Sequence, residues 1–198
     1  LIPSNKFAAV VLDYMKEFFE NYYHNTELAR EAEQLRGEIL EGIRKYGVVK
    51  DEEFGEIYAY ETDGLGHYNL MDDANVPSLL SLPWLGWCDK KDPLYLNTRR
   101  FILSKKNPFY FEGSAARGIG SPHTPEGYIW HIGLTMQGLT SADEEERASL
   151  LETLVSTDAG CEVMHEGFHS SDPARFTREW FAWANSLFAL YVLDLKKF

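Results

Sequence analysis

The chain has 198 residues, of which 44% are hydrophobic and 14% aromatic, a composition that is typical of one folded domain and excludes a disordered chain. Its formal net charge of -12 argues against a nucleic-acid or anionic-membrane partner and favours a neutral or cationic ligand, such as a neutral glycan. No apolar run is long enough to span a membrane, and the two cysteines, Cys88 and Cys161, indicate neither a disulfide framework nor a cysteine zinc site.

Two long amphipathic helices are predicted at the start of the chain. Apolar residues recur at steps of three and four from Ser4 to Tyr22 and again from Leu28 to Ile43, and Gly47 is typical of a helix end. Because only Tyr23 to Asn25 separate the two patterns, we expect the helices to be antiparallel neighbours.

Helices and short strands are predicted for the rest of the chain. In order, the patterns indicate a strand or hairpin arm at 56–61, a brief helix from Val76 to about Leu85, a helix from Asp92 to Ser104, a strand at 109–111, a long loop at 113–125, a buried helix at 128–139, an exposed helix opened by a capping box at 141–144, and a buried helix from Thr177 to about Leu195. Since inner and outer helices alternate and strands lie only in connections, we expect an all-α fold, an α/α toroid rather than a bundle. No internal repeat or interior domain boundary is visible, so residues 1–198 are interpreted as one domain.

The motif His165-Glu166-Gly167-Phe168-His169 has two incompatible interpretations. On a helix, its two histidines would bind zinc and its glutamate would be the base of a metallopeptidase. On a strand or loop, Glu166 would act alone as an acid or base in a sugar-cleaving site. Gly167 inside the motif and Pro173 soon after it disfavour a long helix. A purely structural role for the motif also stays open.

Other candidate residues lie in loops and in the predicted last helix. Asp72 and Asp73 precede a predicted helix, so they could cap it or, with Asn75, bind sugar hydroxyls. Val76 stands where an Asp-Asp-x-x-Asp pattern requires its third aspartate, and so argues against a magnesium site of that kind.

Aromatic and basic residues supply the remaining candidates. His123 lies between two prolines in the long loop and is followed by Trp130, so it could be a rigid ligand contact, although an isolated loop histidine is usually solvated. Trp180 is expected in the core on statistical grounds, whereas Arg178 beside it requires an acceptor.

The chain resembles glycoside hydrolase family 125 in blocks that span nearly the whole sequence in the family's order. The blocks are LIPSNKFA at 1–8, MDDANVPSLL at 71–80, GIGSPHT at 118–124, HE at 165–166 and TREWFAWAN at 177–185. The resemblance implies an (α/α)6 barrel and an inverting, exo-acting α-1,6-mannosidase that releases mannose from α-mannosides or N-glycan-type mannans. It also implies that no metal or other cofactor takes part.

The resemblance further implies residue roles. Glu166 would be the general base, and His169 would complete the zinc pattern only by coincidence. The candidate substrate contacts are Asp72, Asp73, Asn75, His123, Trp130, His165, Arg178 and Trp180. The segment His131-Ile132-Gly133 departs from the family's more apolar version, which leaves the subsite specificity open.

The family's general-acid aspartate lies just upstream of the block with which this chain begins. The resemblance therefore implies that the chain is the C-terminal half of the catalytic domain and that its partner, besides an α-mannoside, is the missing N-terminal half. Half a barrel should expose an apolar stripe with Phe7, Val11 and Phe18 on the first helix, and should associate or be poorly soluble alone. A zinc metallopeptidase and a noncatalytic carbohydrate-binding module are the alternatives.

Overall fold

The computed structural model describes residues 1–196 as a set of helices joined by short antiparallel hairpins. The helices are α1 (Ile2–Asn21), α2 (Thr26–Tyr46), α3 (Pro93–Ile102), α4 (His131–Leu139), α5 (Glu144–Ser156) and α6 (Ala182–Leu195). The strands are β1 (Val48–Asp51), β2 (Gly55–Tyr58), β3 (Glu61–Thr62), β4 (Tyr68–Asn69), β5 (Tyr110–Glu112), β6 (Arg117–Ile119), β7 (Tyr128–Trp130), β8 (Gly167–His169) and β9 (Asp172–Thr177). The prediction of helices with short hairpins between them is therefore confirmed in part, since the chain is a mixture of helices and small antiparallel sheets.

The first two helices form the predicted pair, and they pack mainly against each other. The Asn25 side chain caps α2 by accepting from the backbone N–H of Leu28 at 3.1 Å. The first turns of α1 join this pair to the rest of the protein, because Ile2 N–H donates to the Tyr60 carbonyl at 2.8 Å. The Lys6 ammonium is buried over the Tyr58 ring, and burial lowers the pKa of this lysine well below its usual value.

The helix predicted from Val76 to Leu85 is wrong, since this stretch forms turns. The buried Asp72 carboxylate accepts from the backbone N–H groups of Leu79 and Leu80, at 2.8 and 2.9 Å. The hydroxyls of Ser78 and Ser81 each accept from the other residue's backbone N–H. These side chains satisfy backbone donors that a helix would use, and therefore favour turns.

Two predicted buried helices begin later than expected: the first because its residues 128–130 form a strand, the second because Thr177 ends a strand and residues 178–181 are irregular. Residues 128–130 form β7 and residues 172–177 form β9, with β8 between them in a three-stranded antiparallel sheet. A short, fully apolar run does not distinguish a strand from a helix by periodicity. In the β8–β9 pair, Phe168 faces Phe176 but His169 faces Asp172, so residues 173–175 loop out as a bulge.

Smaller differences concern loops and caps. The predicted loop at 113–125 contains β6, which pairs with β5, and the predicted strand at 56–61 is divided between β2 and β3. The helix after Ser141 does form, but its cap is Asp143, whose carboxylate accepts from the backbone N–H groups of Glu145 and Glu146.

The main hydrophobic core lies between the sheets and α3 to α6, and none of its fully buried members belongs to α1 or α2. On α1, Phe7 and Phe18 are 36% and 60% exposed, which confirms the predicted apolar stripe at these two positions, whereas Val11 is half-buried. Within residues 1–196, no helix is both long enough and apolar enough to cross a bilayer.

Candidate active site

A cleft of about 610 Å³ collects most of the predicted site residues. Its lining residues are Leu1, Ser4, Tyr60, Asp73, Asn75, Val76, Pro77, His123, Trp130, Glu166, Arg178 and Phe181. A second recess of about 680 Å³ between the β5–β6 hairpin and α5 contains none of the predicted site residues. The cleft is therefore the candidate active site.

One end of the three-stranded sheet brings three of the predicted residues together. Trp130, the last residue of β7, pairs with Gly167, the first residue of β8, and Gly167 pairs with Thr177, the last residue of β9. Glu166 and Arg178 lie one residue beyond these paired positions. The N–H of Glu166 faces the carbonyls of Thr177 and Arg178 at 3.3 and 3.4 Å. The register of the sheet thus places an acidic, a basic and an aromatic side chain side by side.

Glu166 and Arg178 form an ion pair inside the cleft. Arg178 Nε lies 3.3 Å from Glu166 Oε1, and the side chains of Arg178 and Glu166 are 65% and 13% exposed, respectively. The Arg178 guanidinium also lies 5.6 Å from the centre of the Phe181 ring. Arg178 has a φ of 43°, a left-handed conformation that is uncommon outside glycine and often found at functional sites. Glu166 is the acceptor that Arg178 was expected to need.

Trp130 contributes to the lining of the cleft but is buried, with only 2% of its surface exposed. Its ring packs edge-on against Phe181 with centroids 6.2 Å apart, and its indole N–H donates to the Thr124 hydroxyl at 2.9 Å. A Cβ atom on Gly167 would lie only 2.9 Å from Trp130 Cδ1. Glycine at this position therefore leaves room for the indole ring beside Glu166.

Another part of the lining is polar and consists of two loops joined to each other. Ala74 N–H donates to the Gly120 carbonyl at 3.0 Å, so the loop that carries Asp73 and Asn75 lies against the loop that carries His123. The Asn75 amide donates to Asp73 Oδ1 at 3.2 Å and lies 3.4 Å from the Ser121 hydroxyl. Carboxylate, amide and imidazole groups on this wall can all hydrogen-bond to a sugar hydroxyl.

Tyr60 and Phe181 line the cleft but were missed in the sequence. Tyr60 lies in the connection between β2 and β3 and receives a backbone hydrogen bond from Ile2, which brings the start of α1 to the cleft. Burial, followed by the negative charges of Asp73 and Asp72, raises the pKa of Tyr60 far above its usual value. The phenol therefore stays protonated and remains a donor. Phe181 belonged to a quoted family block and could have been selected from it.

Three of the predicted contacts do not line the cleft. Asp72 is buried and bonded to the turn at residues 79–80, and burial raises the pKa of Asp72 to about 7 against the effect of those backbone bonds. His165 is fully buried behind Glu166. Trp180 is 63% exposed and does not lie in the core either.

The helix that the zinc interpretation requires is not formed, because Gly167–His169 is a strand. The His165 ring lies against Phe176 with centroids 4.0 Å apart, whereas the His169 ring packs edge-on against Tyr128. In the described part of the chain, no three His, Cys, Asp or Glu side chains are grouped so that they could hold a metal ion. The motif has the sequence of a zinc helix but the geometry of a strand.

An open cleft with a carboxylate, aromatic walls and several hydrogen-bonding groups is typical of glycoside hydrolases. The profile of the family described as metal-independent alpha-mannosidase (GH125) matches residues 1–193. This chain belongs to that family, as the sequence blocks predicted.

Two relatives illustrate the similarity. The meiotically up-regulated gene 157 protein of Schizosaccharomyces pombe (strain 972 / ATCC 24843) is 46% identical over 195 residues, which cover 98% of this chain and 38% of that protein. A metal-independent alpha mannosidase of Streptococcus pneumoniae, solved in a non-productive complex with alpha-1,6-mannobiose, has a TM-score of 0.96 and 48% identity, covering 98% of this chain and 46% of that chain. The chain thus spans less than half the length of either relative.

Proposed function

We propose that this chain is the C-terminal part of the catalytic domain of an inverting, exo-acting α-1,6-mannosidase in which Glu166 is the general base. The observation that supports this most is the position of Glu166 in the cleft, where it pairs with Arg178 and shares the lining with Asp73, Asn75 and His123. The substrate class is supported by the pneumococcal relative, whose complex contains alpha-1,6-mannobiose. N-glycan-type mannans are substrates of this kind.

The cleft contains polar groups that can bind sugar hydroxyls and an aromatic surface that can contact the apolar face of the ring. Asp73 and Asn75 can bind hydroxyl groups, and Tyr60 can donate to a sugar oxygen because its phenol stays protonated. The apolar C–H face of a mannose ring can pack against Phe181, whose ring the buried Trp130 supports by edge-on packing. These contacts would orient the sugar, while the specificity for a terminal residue would depend on how the cleft is closed.

In an inverting mechanism the base carboxylate activates a water on the face of the sugar opposite to the leaving group. A second carboxyl group protonates the leaving oxygen, and the two groups lie roughly 6.5 to 9.5 Å apart to leave room for the water. The ion pair with Arg178 would hold the Glu166 carboxylate in one direction as it accepts the proton from water. No metal or other cofactor is needed for either step.

The general acid would come from the remainder of the catalytic domain. Both relatives are more than twice as long as the matched segment, since it covers 38% of one and 46% of the other. The exposed Phe7 and Phe18 of α1 supply an apolar surface against which that remainder can pack. Residues 1–198 would then form one continuous part of a single (α/α)6 domain, with the missing N-terminal half as its partner.

The test of the base is Glu166→Gln in the complete catalytic domain, with α-1,6-mannobiose as substrate. Glutamine keeps the shape of the side chain but cannot accept the proton, so kcat should fall at least about a hundredfold while KM changes little. Glu126→Gln is a matched control, because Glu126 is exposed and does not line the cleft. Equal effects of the two substitutions would refute the assignment.

Stereochemistry and metal content separate this proposal from its alternatives. Proton NMR early in the reaction should detect β-mannose, because water attacks opposite to the departing sugar. His169→Ala should have a mild effect, whereas a zinc peptidase would lose its metal and its activity together. First-formed α-mannose, loss of zinc with activity, or sugar binding by the complete domain without hydrolysis would each contradict the proposal.

A further inference from the structure

We propose that His131, which lies outside the cleft, is a positioning residue that fixes the direction of Glu166 through the backbone of His165. This inference rests on the proposed function of Glu166. His131 is the first residue of α4 and is fully buried, and it follows directly after Trp130. Its ring lies between the end of α5 and the peptide that leads into Glu166, so it connects a helix terminus to the candidate base.

The contacts of the ring determine which nitrogen carries the proton. The backbone N–H of His165 points at His131 Nδ1 over 2.9 Å, and a backbone N–H can only donate. Nδ1 must therefore be unprotonated for this bond to form. His131 Nε2 lies 3.1 Å from the Thr157 hydroxyl oxygen, which itself donates to the Thr153 carbonyl at 2.8 Å. That oxygen can then accept from an Nε2–H group.

The other tautomer leaves a buried donor without a partner. A proton on Nδ1 could be donated to the His165 carbonyl, which is 3.1 Å away, but it would then face the His165 N–H. An unsatisfied buried N–H is rarer than an under-satisfied carbonyl, so the Nε2–H form is preferred. Burial also lowers the pKa of His131 to about 4, which keeps the ring neutral near pH 7. The neutral Nε2–H ring thus accepts from the peptide before Glu166 and donates to α5.

Two consecutive backbone N–H groups, those of His165 and Glu166, fix the peptide that carries the Glu166 side chain. His165 N–H is bonded to His131, and Glu166 N–H faces the carbonyls of Thr177 and Arg178. The His165 ring lies parallel to the Phe176 ring, at an interplanar angle of 8°. Loss of the His131 acceptor would free one side of the peptide and allow the Glu166 carboxylate to shift. A misplacement of about 1 Å can reduce the rate roughly a hundredfold.

The neighbouring histidine provides a second support for the same segment. His165 Nδ1 lies 2.6 Å from the Glu179 carbonyl and His165 Nε2 lies 3.1 Å from the Asp158 carbonyl. The ring thereby lies between the segment after β9 and the turn after α5. Since the ring of His165 does not line the cleft, both histidines act behind Glu166 rather than on the substrate.

A pair of amide substitutions tests the role of Nδ1 in the complete catalytic domain. The side-chain amide oxygen introduced by His131→Asn can take the place of Nδ1, whereas His131→Gln reaches toward Thr157 and leaves the His165 N–H unpaired. Each variant loses one buried hydrogen bond, so their melting temperatures should fall by similar amounts. We expect kcat to fall about a hundredfold in His131→Gln and less than about tenfold in His131→Asn, with KM nearly unchanged in both.

Equal losses of kcat in the two variants, in step with their losses of stability, would overturn the positioning role. Nitrogen-15 NMR of the wild-type protein supplies an independent measurement, because it identifies which ring nitrogen of His131 carries the proton. We expect the proton on Nε2, and a proton on Nδ1 would overturn the proposal without any activity measurement. If the wild-type domain does not hydrolyse mannosides at all, the proposed function fails, and the positioning role of His131 in that reaction fails with it, whatever the NMR result.

Discussion

The α1–α2 pair, residues 2–46, differs from the rest of the described chain, which we call the body, residues 48–196. The pair buries few side chains, and those buried along its length are mainly small or aliphatic, whereas the body surrounds a continuous core. The exposed large apolar residues of the first 46 positions are Leu1, Phe7, Tyr14, Met15, Phe18, Tyr22, Tyr23, Leu28 and Leu35. The body also exposes nine large apolar residues, but they are spread over about three times as many positions and accompany a continuous core, whereas the pair concentrates as many exposed apolar residues in its 46 positions.

The largest expected difference between the two regions is the loss of unfolding free energy when a leucine of each is replaced by alanine. Leu154 in α5 is fully buried in the core, whereas Leu35 in α2 is 48% exposed. Leu154→Ala should reduce the free energy of unfolding by about 2 to 5 kcal/mol, because it leaves a cavity. Leu35→Ala should change it by no more than about 0.5 kcal/mol. Urea unfolding of both variants of the 198-residue chain gives the comparison, and similar losses would abolish the distinction between the regions.

The body should also contain a group, His131, that makes the folding stability decrease at low pH. His131 has a folded pKa lowered to about 4 by burial, against an ordinary value of 6.5, so the unfolded chain binds the proton first. The stabilisation is complete above about pH 6.5 and is lost as the pH falls toward 4, by about 3 kcal/mol in total. Urea midpoints at about pH 7 and about pH 4.5 should differ more in wild type than in His131→Asn.

The comparison with the variant is needed because another buried group has the opposite effect. The raised pKa of Asp72, about 7, gives stability that is lost as the pH rises from its ordinary value toward 7. Asp72 is present in both proteins, so its contribution cancels in the difference. Identical pH dependence in wild type and His131→Asn would mean that His131 is not held neutral in the fold.

The smallest predicted difference concerns ion pairs. In the body, the Glu146 carboxylate accepts from Arg99, Gln137 and Ser141, and thereby connects α3, α4 and α5. Glu146→Gln should destabilise the protein by about 1.5 to 3 kcal/mol, since hydrogen bonds between charged groups are lost. In the helix pair, Glu33 binds Lys16 at 2.8 Å with both side chains open to solvent. Glu33→Gln should shift the unfolding midpoint much less, because water screens that pair.

The secondary structure of the helix pair was predicted from the sequence more accurately than that of the body. Both helices of the pair were predicted within a few residues, because one face of each is polar and the periodicity is visible. In the body, Tyr128 to Trp130 are buried on all sides, so the alternation that marks a strand is absent and the run resembled a helix. The turn at residues 79–80 depends on the Asp72 carboxylate, a contact that propensity does not contain.

The sequence grouped residues that the structure brings together, even where it misplaced the elements that carry them. Six of the nine predicted site residues line the cleft, and they come from five separate segments of the chain. The family blocks contain five of the six, because they record residue types and order rather than secondary structure, whereas Trp130 was selected because it follows the loop of His123. His165 was included with Glu166 in one block, but its ring points to the carbonyls of Glu179 and Asp158. Adjacent residues of an extended segment face opposite ways, so only one could reach the cleft.

The bulge in β9 allows residues to be added at the end of the sheet far from the cleft without a change in the strand pairing next to the cleft. Toward the cleft, Gly167 faces Thr177, and one residue inserted there would turn Glu166 and Arg178 to opposite faces. Beyond the bulge, His169 faces Asp172, and residues 173–175 already lie outside the pairing. We therefore expect homologues to differ in length between Asp172 and Phe176 but not between Gly167 and Phe168. The same segment is a suitable position for inserting a peptide tag or a spectroscopic label.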